Sequence, residues 1–134
     1  MIVLDCSAAV EMAMKTEAGE AMRSLILEEE EVISSELFLV ELASAFGKYV
    51  KAGLADKELA TRYIQEASAL PDRLIPISEN YIEAFHESIR LKHSVYDLLY
   101  LTLARRNAAT LVTLDTKLIQ LSEEQGIDCF HRIA

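Results

Sequence analysis

Short apolar runs recur between longer stretches with helical spacing, and this alternation constrains the fold more than any other feature of the chain. Ile2 to Leu4, Val32-Ile33, Leu74-Ile75-Pro76-Ile77, Thr110 to Leu114 and Asp128 to Ile133 have the length and composition of strands. Between them the apolar residues return every three or four positions. Ser7 is placed to cap a helix through about Lys15, and a second helix follows from about Glu17 to Glu30. The third runs from Ser35 to Lys51, carrying Phe38, Leu42, Ala45, Phe46 and Tyr49 on its inner face, with Gly53 just beyond as a C-terminal signal. Asp56 caps a helix over 56–69 that Pro71 stops; further helices are expected from Ser78 to about Lys92, over 96–107, and from Lys117 to Glu124, before a break at Gly126. Strands separated by helices predict βαβ units: one α/β domain spanning 1–134, with a parallel sheet covered by helices on both faces. Pro76 places the third strand at an edge. In such sheets ligands bind beyond the carboxyl ends of the strands, so the residues following each strand matter most.

Composition excludes several classes. The 134 residues suit a single domain with its own core. A net charge of −9 argues against a basic face for passive nucleic-acid binding. Any contact with a polyanion must be local and assisted by cations that offset the acids. Cys6 and Cys129 match no ligand spacing and are expected to be small, buried, reduced thiols, which makes the cytoplasm the default compartment. The apolar start Met1 to Leu4 lacks the basic flank and length of a secretion signal, and no apolar run approaches a membrane span. His86, His93 and His131 are scattered without a zinc-binding pattern. The run Glu28 to Glu31 is expected to be a solvated helix end or turn.

Four acids remain to be explained. Asp5 follows the first strand and Asp115 the fourth, so in a parallel sheet both carboxylates emerge at the same edge; either alone is also an ordinary helix N-cap. Glu41 lies inside the third helix with Leu37, Phe38, Val40, Leu42 and Ala45 around it, and such a helix is expected to be buried over most of its circumference. An unpaired carboxylate there would cost several kcal/mol or take up a proton. The competing reading is an exposed polar stripe that Glu41 shares with Ser44 and Lys48. Asp97 opens a helix dominated by Leu98, Leu99, Leu101, Leu103 and Ala104, where an acid in the first turn gains from the helix dipole even without a ligand. Taken together, an acid-only set without His or Cys suits a hard cation such as Mg²⁺ or Mn²⁺, the setting for phosphoryl-transfer chemistry.

These residues carry a family resemblance. Val3-Leu4-Asp5-Cys6-Ser7-Ala8-Ala9, Leu39-Val40-Glu41-Leu42, Ser94 to Ala104 around Asp97, and Leu111-Val112-Thr113-Leu114-Asp115-Thr116-Lys117-Leu118, in that order, resemble the PIN domain and within it the VapC-type toxin ribonucleases of prokaryotic toxin–antitoxin pairs. The resemblance implies a three-layer α/β/α domain with a five-stranded parallel sheet of order 3-2-1-4-5. It implies that Asp5, Glu41, Asp97 and Asp115 hold one or two Mg²⁺ or Mn²⁺ ions, with Ser7 and Thr113 supporting them through hydrogen bonds. The implied reaction is endonucleolytic hydrolysis of RNA by metal-activated water, leaving 5′-phosphate and 3′-hydroxyl ends. Implied partners are an antitoxin protein and a second copy of the chain, with no membrane. One departure stands out: many relatives have a proline before the third helix where this chain has Ser34-Ser35-Glu36, and a serine cap is expected in its place. Lys117 is a candidate for meeting a substrate phosphate, and Lys48, Lys51, Arg62, Arg90 and Lys92 for a basic rim. Two other readings compete: a non-catalytic binding or scaffold protein on the same fold, and an acid-metal phosphatase, which would normally need a second aspartate where Ser7 stands.

Overall fold

A computed structural model describes residues 1–26 and 30–130, with backbone alone for 25 and 26. The strands are β1 (Ile2–Leu4), β2 (Val32–Ser35), β3 (Arg73–Ile75), β4 (Thr110–Val112) and β5 (Cys129–Phe130). The helices are α1 (Cys6–Ala13), α2 (Glu17–Ile26), α3 (Leu37–Lys51), α4 (Lys57–Ser68), α5 (Tyr81–Leu91), α6 (Val95–Arg106) and α7 (Thr116–Glu124). All strand pairs are parallel, and the order β3-β2-β1-β4-β5 is the one expected.

Period-two alternation along β1 divides the core. Ile2 and Leu4 point to one face, where α1 to α4 pack with Met12, Met22, Phe38, Leu42 and Phe46. Val3 points to the other, with Ile33, Leu98, Leu101, Leu111 and Leu118. The sheet is thus covered on both sides, which is why its strands are short and apolar rather than alternating with polar residues. Gly19 permits the tight seating of α2 on α1, because a Cβ there would fall 2.0 Å from the Glu11 carbonyl oxygen.

Several local expectations are corrected. Asp5, not Ser7, is the N-cap of α1, its carboxylate accepting from the Ala8 amide. Glu36, not a serine, occupies the cap position of α3 and makes no capping bond, its Oε1 accepting instead from the Ile77 amide; the Ser35 hydroxyl accepts from the Leu37 amide at the start of the helix. Pro76 ends β3, and a 3-10 turn over Ile77–Glu79 delays α5 to Tyr81. The strand expected to reach Leu114 ends at Val112. Helix α3 is less enclosed than its composition suggests, since Val40 is 66% exposed and Leu39 42%. Both cysteines are free but half-buried rather than buried. Glu28 and Glu29 of the glutamate run, the expected end of β5 and His131 lie outside the described residues; α2 is described to Ile26, and Glu30, where it was expected to end, is a bend. Among the described residues no helix is long and apolar enough to cross a membrane.

Candidate metal centre

The register of the sheet builds one side of the site. Leu4 pairs with Val112, so Asp5 and Thr113 leave the sheet side by side. Only Asp5 separates β1 from α1, so one carboxylate both caps the helix and faces the carboxyl edge. Thr113 donates to Asp5 Oδ2 at 2.5 Å, and Ser7 donates its hydroxyl toward Oδ1 at 2.8 Å. The Ser7 oxygen in turn accepts from the Leu114 amide at 2.9 Å, and the Thr113 oxygen from the Asp115 amide at 3.0 Å. Asp5 is 4% exposed and therefore locked in orientation. Burial pushes its pKa up to about 7 against the pull of the Thr113, Ala8 and Ser7 hydrogen bonds, with the Glu41 charge adding to the rise.

The other three acids meet Asp5 in a pocket of about 520 Å³, whose walls also include Ser7, Val10, Ser44, Lys48, Tyr49 and Tyr100. Asp115 caps α7, its Oδ1 accepting from the Lys117 and Leu118 amides at 2.9 and 3.2 Å. Glu41 comes from α3 and accepts the Tyr100 hydroxyl on Oε1 at 2.6 Å. Asp97 comes from the first turn of α6, and among the described residues no protein donor bonds its carboxylate. Burial raises the pKa of Glu41, with Asp97 and Asp115 adding to the rise. Burial likewise raises Asp97, helped by Asp115 and opposed by His93 and Lys117. Cys6 shares the pocket, and burial beside Glu41 and Asp5 pushes its thiol up to about 12, which keeps it protonated at neutral pH in the metal-free protein.

Four carboxylates line this one pocket, and the pKa of Asp5, Glu41 and Asp97 is raised by burial and by neighbouring acids; such a set of hard oxygen donors suits a hard divalent cation, which would relieve their mutual repulsion. Among the described residues no three His, Cys, Asp or Glu side chains are arranged to chelate an ion as they stand. The hydrogen bonds give the reason: Asp5, Asp115 and Glu41 each turn oxygen toward a protein donor, and like charges do not close on one point without a cation between them.

All four acids, with Ser7, therefore line one pocket, and Thr113 lies directly behind them. Lys117 does not line it; its backbone amide serves Asp115 and its charge acts on Asp97 from the side. Lys48 is the one cation in the lining among the described residues. Its signal was the stripe Glu41, Ser44, Lys48, which borders this pocket, with Ser44 and Lys48 exposed to solvent at its rim. Tyr100 was missed because at its helical position a bulky side chain looks like ordinary core.

A PIN domain family model matches residues 2–124. Ribonuclease VapC12 of Mycobacterium tuberculosis is 33% identical over 120 residues, which cover 90% of this chain and 91% of that protein. Among solved structures, VapBC2 from Rickettsia felis, bound to a DNA fragment from its promoter, superposes with a TM-score of 0.71 at 18% identity, covering 99% of this chain and 100% of the other. PAE2754 from Pyrobaculum aerophilum gives 0.69 at 21% identity, covering 89% and 84%. At these identities the solved structures show the shared fold.

Proposed function

We propose a function that follows from one premise: this chain belongs to the PIN domain family. It is a VapC-type endoribonuclease that depends on Mg²⁺ or Mn²⁺ and acts as the toxin of a toxin–antitoxin pair. The observation that carries this reading is the meeting of Asp5, Glu41, Asp97 and Asp115 in one pocket, with the pKa of the first three raised. These four residues would hold the ion. When bound, it would supply positive charge that holds a phosphate oxygen and lowers the pKa of a water molecule, so that the water gives up a proton and attacks phosphorus as hydroxide. Ser7 and Thr113 keep Asp5 fixed, and the two strand-end caps keep Asp5 and Asp115 in register with each other. Asp97, which no protein donor among the described residues restrains, is free to adjust as the site fills.

The test is incubation of the purified protein with single-stranded RNA. Cleavage to 5′-phosphate ends is expected with Mn²⁺ or Mg²⁺ and none with excess EDTA; cleavage that persists in EDTA would refute the metal requirement. Lys48 is assigned a phosphate contact at the pocket wall, in preference to Lys117. Lys48→Ala is expected to raise KM several-fold at unchanged kcat. It should also flatten the salt dependence of RNA binding by roughly 0.7 in slope, the loss of one contact to a single strand. An unaltered slope removes Lys48 from the contact set.

The acidic pocket also suits a basic side chain from an antitoxin, which would occupy the site in competition with the cation. For the expected homodimer, α5 offers a surface: Tyr81, Ile82, Phe85 and Ile89 fall on one side of the helix and are each at least half exposed. Phe85→Glu combined with Ile89→Glu should convert a dimer to a monomer in sedimentation or light scattering. A wild-type protein that is monomeric at micromolar concentration would end the dimer assignment.

A further inference from the structure

We infer that Tyr100 is a positioning residue for the cation site: its phenol fixes Glu41 through one oxygen and leaves the other for a ligand. This rests on the metal-dependent reading above and assigns it a part in which the tyrosine touches neither substrate nor ion.

Tyr100 is 2% exposed, and its hydroxyl donates to Glu41 Oε1 at 2.6 Å. Among the described residues it is the one protein donor bonded to that carboxylate. The four acids are thus held in different ways. Asp5 takes a backbone amide and two hydroxyls; Asp115 takes two amides of its own helix. Glu41 sits mid-helix, where every nearby backbone amide is already committed to α3, so any support must come from a side chain. It also has the longest side chain of the four, and ordering it at a binding site costs the most rotamer entropy. A single charge-assisted hydrogen bond from a buried phenol removes much of that freedom in advance.

The helix geometry makes this economical. Asp97 and Tyr100 lie three residues apart on α6, so both face the same pocket. Helix α6 therefore carries one acid of the site and also the group that orients a second acid on α3, tying together two helices from opposite layers of the sheet. A buried tyrosine needs some acceptor for its hydroxyl, and a purely structural pairing would satisfy that need too. The two roles differ in what depends on Glu41.

The experiment is a double-mutant cycle on the full chain, read by Mn²⁺ titration calorimetry with thermal melts of each metal-free variant. Tyr100→Phe preserves the ring, and Glu41, partly exposed to the pocket, can take water in place of the phenol. Its Mn²⁺ affinity is expected to fall by about 10–100-fold, the range for groups that orient ligands. In a Glu41→Gln background the same substitution should change affinity less than about twofold. An equal loss in both backgrounds, or wild-type affinity in Tyr100→Phe, overturns the inference while leaving the metal reading standing. Absence of Mn²⁺ binding by the wild type overturns both. Should Tyr100→Phe fold poorly, Tyr100→Met fills the space with a flexible apolar chain that also lacks the hydroxyl, and the same cycle decides.

Discussion

Asp97→Asn should abolish RNA cleavage while leaving the metal-free protein at least as stable as the wild type. The catalytic loss is expected to exceed about a hundredfold, beyond the range for a group that merely orients a ligand. The stability half follows from the local electrostatics. Burial and the Asp115 charge raise the Asp97 pKa despite His93 and Lys117, so the ionised form is a net burden on the fold. Among the described residues no protein donor is lost when the charge goes, and the helix dipole it served is worth only about 0.3–1 kcal/mol. Cleavage assays and thermal melts on the same preparations test both halves. Residual activity within a few-fold of wild type would remove Asp97 from the site, and a melting point lower by several degrees would give it a structural role instead.

The second large effect is on stability against pH. The Asp5 carboxyl has a folded pKa of about 7 against an ordinary 3.8. A raised pKa means that the folded state holds the proton more tightly than the unfolded chain. The associated stability is complete at low pH and is lost as pH rises through the folded value. The full loss is roughly 4 kcal/mol between about pH 4 and 7. Glu41 and Asp97 act in the same direction. Glu87, lowered by its Arg90 hydrogen bond and by Arg105, acts oppositely at the acid end, so the cleanest window is pH 5 to 7. Urea titrations of EDTA-treated protein should show stability falling across that window. Saturating Mn²⁺ should restore it, by about 2.7 kcal/mol at a hundred times Kd, and by more at pH 8 than at pH 5 because protons compete for Asp5. Metal-free stability that rises from pH 5 to 7 would show that Asp5 is not the dominant titrating group.

The edge position of β3 and the candidate acids were legible in the chain, from Pro76 and from acids at strand ends or inside apolar helices; the sheet order came with the family resemblance, because periodicity gives the elements and not their order. Three things were not. Ser7 looked like a cap because serine favours that role, but the first residue after β1 already fills it; the hydroxyl is left to bridge Asp5 and Leu114, a contact across more than a hundred residues. Glu41 was judged buried from its neighbours Val40 and Leu42, yet Val40 faces outward, so the pocket and not the helix packing explains the acid. Tyr100 carries no local signal at all. Its role depends on how α6 crosses α3, and periodicity within one helix says nothing about what lies opposite.

Asp5 and Asp115 each close a strand-to-helix connection, whereas Glu41 and Asp97 hold no backbone amide among the described residues. This division sets the route by which such a protein can retire from catalysis. A lineage that abandons the chemistry can exchange the residue at 97 freely, and the one at 41 wherever the Tyr100 hydroxyl finds another acceptor, while the helix caps at 5 and 115 are still needed by the fold. Inactive descendants should therefore keep the strand-end pair and lose the helix pair, and an acid surviving at 5 or 115 alone says little about whether a copy still cuts RNA.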